Sequence, residues 1–490
     1  MMDKRVQVFA LAGISGVAGS YALAGYTRQF IVAPIDAVVV RSTPGPIVAW
    51  MITNVGDAGH LLHIALSMGI AGVLLGTTAV LGQFVGAKLD RWFLAPGVAG
   101  VLAWALTVAI TTEPVLSLGA ALPVALFTVI GAGSLSTADH DPSRRRALGS
   151  IQSAIGFVVV AGGAGWVKTN SDTEAADEEP ASDPPSPVTR RLEEANTQSL
   201  DLAADNVPGL VSSIGEFYNV DIAEFDPEIA DDDWSMGLTG EVETEFSVTF
   251  EELTDRPTEH RYVTLRCVGE SLNGRKLDTA VWTGTPIKPL LEEADPEGDC
   301  DCAMLRAEDG YFVQFPVEAL EDAFLAWEMN GRPLPKSHGH PVRVLVPGHW
   351  GETNVKWLTE IELLDEAMDG YWEQRGWHGT GPVNTVAKLW DDTRLDDGRI
   401  EVAGHAYAGT RGIERVEVST DGGASWTDAT LSAPLPGEDV WRQWRHVYEP
   451  TGDHEVVVRA IDGEGDRQPR DQSDSFPSGA TGWVSKEISA

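Results

Sequence analysis

The chain has 490 residues, enough for three or more domains, and a formal net charge of −38 at pH 7. The negative charge follows residue 170, where 66 acidic residues outnumber 25 basic ones; the first 170 residues contain seven acidic and ten basic. Such an acidic chain disfavours nucleic-acid binding, and its nine lysines against 26 arginines indicate a halophilic host in which salt screens self-repulsion. Three cysteines are too few for a disulfide framework.

Residues 1–167 are predicted to form a membrane domain of five helices. Each apolar stretch approaches the roughly 20 residues that a spanning helix needs. The stretches cover residues 6–25, 59–86, 95–112, 115–133 and 148–167. Lys4, Lys88 and Arg144 fall in loops on one side, which the positive-inside rule makes cytoplasmic. We therefore expect a multi-pass protein of the cell membrane, in contact with lipid, whose remaining domains lie on the extracytoplasmic side.

Polar features of this region bear on export and on electron transfer. Arg144 to Arg146 precede a mildly apolar segment, which is typical of a twin-arginine signal for export of folded proteins. His60 and His63 lie near the outer end of the second predicted span. The other predicted spans lack a histidine for a bis-histidine haem, so we interpret these two as interfacial, quinone-proximal or structural. Residues 168–188 are acidic and proline-rich, which predicts a solvated linker.

Residues 189–385 predict a mixed α+β domain, with alternating runs between brief helix-like segments such as 317–330. The run YVTLRC alternates as a strand does, and Cys267 falls where the strand ends and a glycine-containing loop begins. A thiolate there would be held rigidly yet be open to a ligand, although a single cysteine is more often a small buried residue. Cys300 and Cys302 are expected to be too close for an easy bridge, with Cys302 in a strand.

A second run, residues 330–358, brackets the short strand RVLVP with polar residues and glycines. Backbone N–H groups, one fixed guanidinium and one ammonium are the groups with which proteins hold a phosphate. The polar candidates on both sides of the strand are His338, Arg343, Asn354, Val355 and Lys356. From residue 386 the pattern becomes repeated strands and turns, among them the hairpin signal Asp421-Gly422-Gly423, which predicts a small β-sandwich over 386–490.

The two runs together indicate a molybdenum-cofactor site, and over residues 205–490 they resemble the sulfite oxidase family of molybdopterin enzymes. The resemblance implies a molybdenum-molybdopterin cofactor in the α+β domain. It also implies that the sandwich is the family's immunoglobulin-like dimerisation domain, so a homodimer is expected. The expected fold is thus a helical transmembrane domain, an α+β molybdopterin domain and an immunoglobulin-like sandwich.

The resemblance also implies roles for individual residues. Cys267 matches the cysteine that binds molybdenum and Tyr311 the tyrosine beside the metal, and these two are the expected catalytic residues. Asp309 matches a further cofactor contact, and the segment from Glu216 matches the motif that lines the cofactor. The other residues implied to hold the pterin and its phosphate are Phe217, Tyr218, Asn219, His338, Arg343, Asn354, Val355 and Lys356.

The chain departs from the family at the arginines with which animal and plant sulfite oxidases hold their anion. Asp221 follows the Phe-Tyr motif where an arginine is usual, and Leu272 and Asn273 replace two arginines after the cysteine. The run from Phe476 contains none. Four basic residues could compensate by position, but we interpret them as surface charge: Arg261, Arg266, Arg275 and Lys276.

These observations predict a membrane-anchored molybdopterin oxidoreductase that transfers an oxygen atom at molybdenum to or from a small oxyanion or oxide of sulfur or nitrogen. Electrons would pass to or from an unidentified partner. The sandwich favours sulfite oxidation, whereas the missing arginines favour reduction of an oxide, as in a methionine sulfoxide reductase. The alternative class is a non-catalytic, membrane-tethered binding module that kept only the fold.

Overall fold

The computed structural model describes residues 4–55, 58–133, 186–223 and 225–489. These residues form two compact units. The first contains the described residues up to 133, except Gly45–Asn54, together with the described part of Ala223–Asp226; the second contains Gly45–Asn54 and the rest. The predicted fifth span, the arginine run at 144–146 and most of the linker lie outside the described residues.

The first unit is helical. Arg5–Ala24, Leu61–Lys88 and Leu94–Thr111 are long and apolar enough to cross a membrane, and they correspond to three of the five predicted spans. The fourth is shorter than predicted and contains Pro123. Two short helices, α2 and α3, were not predicted. The helices up to residue 133 are α1 Lys4–Ala24, α2 Val32–Ser42, α3 Gly45–Asn54, α4 Ala58–Lys88, α5 Leu94–Thr111 and α6 Leu118–Gly133.

Glycines let α1 approach its neighbours closely. A Cβ atom on Gly13 would lie 2.2 Å from the carbonyl oxygen of Gly72 on α4, and one on Gly19 would lie 2.2 Å from that of Gly119 on α6. No side chain fits at either distance, so both positions require glycine. Close backbone approach through small residues is how helices associate within a membrane.

The second unit begins with an α+β part built on two sheets. One has the strand order β2-β1-β10-β5-β6, and the other has the order β3-β4-β7-β8 with β9 beside β7. Its strands are β1 Ser235–Gly240, β2 Phe246–Thr249, β3 Glu259–Arg266, β4 Leu277–Pro286, β5 Cys302–Ala307, β6 Phe312–Pro316, β7 Phe324–Met329, β8 Arg332–Pro333, β9 Arg343–Leu345 and β10 Leu358–Leu364. Its helices are α7 Pro187–Gln198, α8 Phe250–Thr254, α9 Lys288–Ala294 and α10 Val317–Glu321. One apolar core joins Leu305 and Ile361 of the first sheet to Leu325 and Val344 of the second.

The helix-like interpretation of residues 317–330 was wrong over most of its length. Helix α10 ends at Glu321, and the strand β7 follows it. Phe324, Leu325 and Ala326 are all fully buried, because Leu325 packs in one apolar core and Phe324 and Ala326 pack in another. A strand buried on both faces shows no alternation, so its apolar run is easily mistaken for a helix.

The expectation for the paired cysteines was also wrong. Cys302 does begin the strand β5, but it forms a disulfide with Cys300. Asp301 between them has a φ of 48°, and this turn brings the two Cα atoms to 5.1 Å, within the usual range for a disulfide. The sequence spacing alone did not reveal this turn.

The C-terminal part is a β-sandwich, as predicted. Its strands are β11 Val386–Ala387, β12 Asp391–Arg394, β13 Ile400–Tyr407, β14 Ile413–Ser419, β15 Thr427–Asp428, β16 Thr430–Leu431, β17 Arg442–Tyr448, β18 His454–Asp462 and β19 Val484–Ile488. One sheet is β11-β13-β17-β16 with β12 beside β13, and the other is β15-β14-β18-β19. Val402 and Trp444 of the first share a core with Val416 and Val458 of the second. The predicted hairpin at Asp421 is confirmed, since β14 pairs antiparallel with β15.

A buried group of charges connects the loop after β3 to the start of the sandwich. The Glu270 carboxylate accepts hydrogen bonds from Arg266 Nε at 2.9 Å and from Lys388 Nζ at 2.5 Å. Arg266 and Lys388 are both 0% exposed, so the interpretation of Arg266 as surface charge was wrong. Burial lowers the pKa of Lys388 to about 8 despite the neighbouring carboxylate.

Backbone contacts reinforce this connection. Arg266 Nη1 donates to the carbonyl of Asn384 at 2.7 Å. Asn273 donates to the carbonyl of Leu389 at 2.7 Å and accepts from its N–H at 2.9 Å. Asn273, one of the residues that replace family arginines, therefore has a structural role between the loop and the sandwich.

Replacing Glu270 with Gln should lower the free energy of unfolding by about 3–5 kcal/mol, because it leaves two buried cations without their anion. Glu297 is exposed and provides a matched control in Glu297→Gln. Thermal and denaturant unfolding of the full chain in detergent, followed by tryptophan fluorescence, would measure both variants. Equal stability of the two would contradict the role given to Glu270.

Candidate functional site

Cys267 lies at the end of β3, where the sequence placed it. Arg266 pairs with Leu277 at the last register of β3 and β4, and the Cys267 N–H donates to the Lys276 carbonyl at 3.0 Å. The thiol is free and partly exposed. Burial raises its pKa to about 11, while Lys276 acts in the opposite direction. Without a bound cation this sulfur is therefore a neutral thiol near pH 7.

Phe217 and Tyr218 line one side of the cysteine. The Tyr218 N–H donates to Asp278 at 2.9 Å, and the Phe217 ring lies edge-on to His338 with the ring centres 5.6 Å apart. A Cβ on Gly351 would lie 2.8 Å from the Tyr218 hydroxyl oxygen and 3.1 Å from the Arg266 carbonyl. Burial first, and then the Cys267 charge, raise the pKa of Tyr218. The Tyr218 hydroxyl thus lies against the turn that packs on the backbone just before Cys267.

Arg343 and His338 form a buried polar group. Arg343 donates to the carbonyls of His338 at 3.1 Å and Asn354 at 2.9 Å, yet its Nε has no partner among the described residues. His338 is 4% exposed, and its Nδ1 also lacks a partner within the part of the chain that the structure describes. Burial, and then the Arg343 charge, lower the pKa of His338 to about 3, so this histidine is neutral. A buried N–H without an acceptor suits an oxyanion such as a phosphate.

Asn354 and Val355 shape this group from the backbone. The Asn354 side chain accepts from the Val346 N–H at 2.8 Å and donates to the Trp350 carbonyl at 3.1 Å. Val355 is 1% exposed, and its side chain belongs to the apolar core. Only the main chain of Val355 can therefore contribute to a cofactor site.

Lys356 brings Asn219 into the same region. Its Nζ donates to the side chain of Asn219, to Asp221 at 2.8 Å and to the Ser337 carbonyl at 2.7 Å. Asp221 belongs to the run Asn219-Val220-Asp221 after the Phe-Tyr motif, which lacks the arginine expected there from the family resemblance. The Lys356 ammonium, which was expected to hold the phosphate, is thus paired with the Asp221 carboxylate. A bound phosphate would compete with this carboxylate for the ammonium.

Tyr311 and Asp309 lie on a neighbouring turn. The Tyr311 hydroxyl donates to the Glu352 carbonyl at 2.9 Å, and its ring centre is 5.8 Å from that of Tyr371. Asp309 accepts from the Tyr311 N–H at 2.9 Å, which stabilises the turn between β5 and β6. The Tyr311 hydroxyl, which was expected to lie beside the metal, is therefore hydrogen-bonded to the turn that contains Glu352.

A pair of carboxyl groups, Glu352 and Glu373, lies beside this turn, and no pattern in the sequence marks it. Burial raises the pKa of Glu352 to about 8, followed by its charge interaction and hydrogen bond with Glu373. Burial also raises the pKa of Glu373. The Gly379 N–H, which is also bonded to Glu352, acts in the opposite direction but is the smallest of these effects. The pair therefore holds a proton at neutral pH, with Glu352 as the protonated member.

Charged groups of both signs act on the Cys267 thiol. Lys276 lowers the pKa of the thiol, whereas the carboxylates of Glu270 and Glu352 raise it. The donors on the side of Arg343 and His338 suit a phosphate-bearing cofactor, and the thiol suits a soft metal. The residues present thus fit molybdopterin, with Asp221 as the departure.

Comparisons with known proteins agree with this arrangement. A model described as an oxidoreductase molybdopterin binding domain matches residues 223–372, and one described as a Mo-co oxidoreductase dimerisation domain matches residues 382–478. Mitochondrial sulfite oxidase of Rattus norvegicus is 28% identical over 280 residues, 46% of this chain and 50% of the relative. That of Drosophila melanogaster is 33% identical over 246 residues, 41% of this chain and 43% of the relative.

The chain thus spans about half the length of these relatives. Among solved structures, the sulfane dehydrogenase SoxCD from Paracoccus pantotrophus matches with a TM-score of 0.47 at 20% identity, over 64% of this chain and 94% of that one. The two matched domains follow one another in this chain, and Cys267, Arg343 and Lys356 lie within the first. The chain belongs to the sulfite oxidase family of molybdenum-dependent oxidoreductases, whose cofactor is molybdenum-molybdopterin.

Proposed function

We propose that this chain is a membrane-anchored oxidoreductase whose extracytoplasmic domain transfers an oxygen atom at molybdenum, with a small neutral oxide of sulfur or nitrogen as its substrate. The observation that carries the proposal is the free Cys267 thiol at a strand end, together with the Arg343 Nε, which has no partner among the described residues; the charges of both groups act on Tyr218. The three candidate spans support the membrane anchor. The dimerisation-domain match supports a homodimer formed through an immunoglobulin-like sandwich.

The residues of the site divide into holding and positioning roles. Cys267 ligates the metal, and Arg343, His338 and Lys356 hold the phosphate end of the cofactor. When bound, that cofactor supplies two-electron oxygen-atom transfer. Tyr218, rather than Tyr311, would donate a hydrogen bond beside the metal, because the Cys267 charge acts on Tyr218, whereas the Tyr311 hydroxyl is bound to the Glu352 carbonyl. Tyr311 is a positioning residue that acts through the Glu352 backbone.

Glu352 and Glu373 handle the proton that such chemistry requires. Removal of an oxygen atom as water consumes two protons, and a carboxyl group with a pKa of about 8 still holds its proton at neutral pH. Glu352 affects the charge state of Cys267 and therefore lies within electrostatic range of it. We assign to this pair the delivery of a proton to the departing oxygen.

The charges argue against a dianion as the preferred substrate. Arg266 is bound to Glu270, Arg261 donates to Glu259 at 2.8 Å, and Arg275 stacks on Trp390 at 4.6 Å. Of the four basic residues that could replace the missing arginines, Lys276 is the one whose charge acts on Cys267. The Glu270 carboxylate acts there in the opposite direction. A single lysine supplies less positive charge than the missing arginines would, and a neutral oxide does not need that charge.

Sulfite oxidation is the second candidate. The relatives of Rattus norvegicus and Drosophila melanogaster are sulfite oxidases, and the match to a dimerisation domain follows the same order. A non-catalytic binding module is disfavoured because Cys267 and the donors of Arg343 are both retained.

Cys267→Ser should abolish turnover and still retain pterin, because the phosphate contacts lie on other elements. Turnover, molybdenum content and released pterin fluorescence would be measured on the same preparation of the full chain. A double variant, Cys300→Ser with Cys302→Ser, controls for loss of sulfur elsewhere and should remain active. Full turnover by Cys267→Ser would contradict the assignment of Cys267 as the metal ligand.

The full chain should reduce methionine sulfoxide more efficiently than it oxidises sulfite. Each charge-assisted hydrogen bond to a buried anion contributes about 1.5–3 kcal/mol, so the missing arginines should weaken sulfite binding by orders of magnitude. Steady-state assays with each substrate and an artificial electron carrier would decide between them. A micromolar Michaelis constant for sulfite would show that the second candidate is correct.

The Glu352 carboxyl group should make the protein less stable as pH rises. Its pKa is about 8 when folded and near 4.5 when unfolded, so the folded state binds the extra proton between these values. The stability that the Glu352 proton contributes is therefore fully present at the low end of this pH range, and it is lost as pH rises through about 8. Glu352→Gln should flatten this slope in thermal unfolding between about pH 5 and pH 9, whereas the exposed control Glu366→Gln should keep it. Parallel slopes in both variants would refute the shared proton.

A further inference from the structure

A polar group lies within the helical unit, at the contact of α2 and α4. Asp36 of α2 accepts a hydrogen bond from Ser67 Oγ at 2.7 Å and lies 2.9 Å from His63 Nδ1, both on α4. His63 and Ser67 are one helical turn apart, so they present neighbouring groups to the same carboxylate. The sequence singled out His63 but gave no sign of Asp36, which lies 27 residues away.

This carboxylate is buried and only partly satisfied. Asp36 is 0% exposed, and its Oδ2 has no hydrogen-bond partner among the described residues. If Asp36 only stabilised the contact between α2 and α4, its bonded oxygen Oδ1 would be sufficient, and the unpartnered Oδ2 would have no role. A buried acceptor without a donor is costly, so the second Asp36 oxygen is a candidate contact for a ligand.

The group lies next to a lipid-facing surface. His63 lies two residues into the candidate span Leu61–Lys88, roughly 3 Å along its axis, and its side chain is 26% exposed. Its neighbours Leu62 and Leu66 are 56% and 55% exposed, as expected of lipid-facing residues. Ser67 and Ala71 on the adjacent face are fully buried. A ligand that reaches His63 therefore approaches past apolar side chains near the end of a span.

We propose that Asp36, His63 and Ser67 form a binding site for a lipid-soluble hydroquinone. The ligand chemistry follows from the surroundings: a lipophilic ring suits the exposed leucines, and a hydroxyl donor suits the unpartnered Asp36 oxygen. The imidazole and carboxylate together accept the protons that a hydroquinone releases on oxidation.

The electron-donating role of this site rests on the proposed function. Oxidation of a hydroquinone to its quinone releases two electrons and two protons. Reduction of a neutral oxide XO to X and water consumes two electrons and two protons. The sum is hydroquinone plus XO giving quinone, X and water, so both atoms and electrons balance. The site would thus supply the two electrons that the proposed reaction consumes.

Binding is tested first, independently of turnover. Duroquinol, a hydroquinone without an isoprenoid tail, would be added to the full chain in lipid nanodiscs, and the thermal unfolding midpoint would be recorded. We expect a saturable rise in the midpoint for the native chain. Asp36→Asn keeps the hydrogen-bonding shape but loses the charge, and it should weaken duroquinol binding at least about tenfold. His63→Gln and Ser67→Ala provide independent variants if Asp36→Asn fails to fold.

Asp90, an exposed carboxylate in the turn after α4, gives the matched control Asp90→Asn. This variant should bind duroquinol like the native chain. A purely structural role for Asp36 predicts a lower midpoint in its variant with an unchanged shift on adding duroquinol, and that result would overturn the proposal. The absence of any shift in the native chain would overturn it as well.

Turnover then separates the hydroquinone site from the proposed reaction. With methionine sulfoxide as the acceptor, duroquinol-driven turnover should fall at least about tenfold in Asp36→Asn and His63→Gln, in proportion to weaker binding. Turnover driven by reduced methyl viologen, a water-soluble donor that bypasses the membrane, should be unchanged. Unchanged duroquinol-driven turnover in both Asp36→Asn and His63→Gln would contradict the hydroquinone site. Absence of viologen-driven turnover in the native chain would contradict the proposed reaction, and duroquinol binding would still decide the hydroquinone site.

Discussion

The antiparallel pairing of β3 with β4 fixes the position of the Cys267 sulfur, and the rest of the site is arranged around that strand end. The loop leaves the hairpin after Arg266 and returns at Lys276, where the cysteine N–H is bound. Behind it, the single carboxylate of Glu270 binds two fully buried cations, one from β3 and one from the start of the sandwich. The sandwich therefore supports the proposed metal ligand directly, apart from any role in dimer formation.

Charge is separated across this site. The Arg343 Nε, with Lys356 nearby, offers N–H groups that suit a phosphate. Around the thiol, Lys276 acts in one direction and the Glu270 carboxylate in the other. An anionic cofactor on the first side and a neutral substrate on the second are consistent with this distribution. Glu352 holds a proton at neutral pH, so its proposed role is proton delivery rather than repulsion of an anion.

Local signals in the sequence predicted the elements that carry the site. The alternation before Cys267 follows from period-two patterning, the short apolar strand RVLVP is marked by the polar residues and glycines on both sides of it, and the hairpin at Asp421 follows from turn chemistry. The contacts that complete the site join residues far apart in sequence. Lys388 reaches Glu270 across 118 residues, and no local pattern marks such a pair.

Other differences have local causes that composition conceals. The strand β7 is buried on both faces and so lacks alternation, and the turn at Asp301 depends on one left-handed residue. Asp36 was overlooked because one acid in a short helix resembles a loop residue until α4 is packed against it. The elements that carry the candidate cofactor residues were therefore predictable from the sequence, whereas the burial and pairing that set the charge states of these residues required the fold.

Molybdenum analysis of the purified full chain tests the central claim most directly, combined with X-ray absorption at the molybdenum edge. The account predicts about one molybdenum per chain, released with its pterin on denaturation, and a protein thiolate among the sulfur ligands that is absent in Cys267→Ser. A chain that folds, remains stable and contains neither molybdenum nor pterin when expressed in a host that makes the cofactor would contradict it.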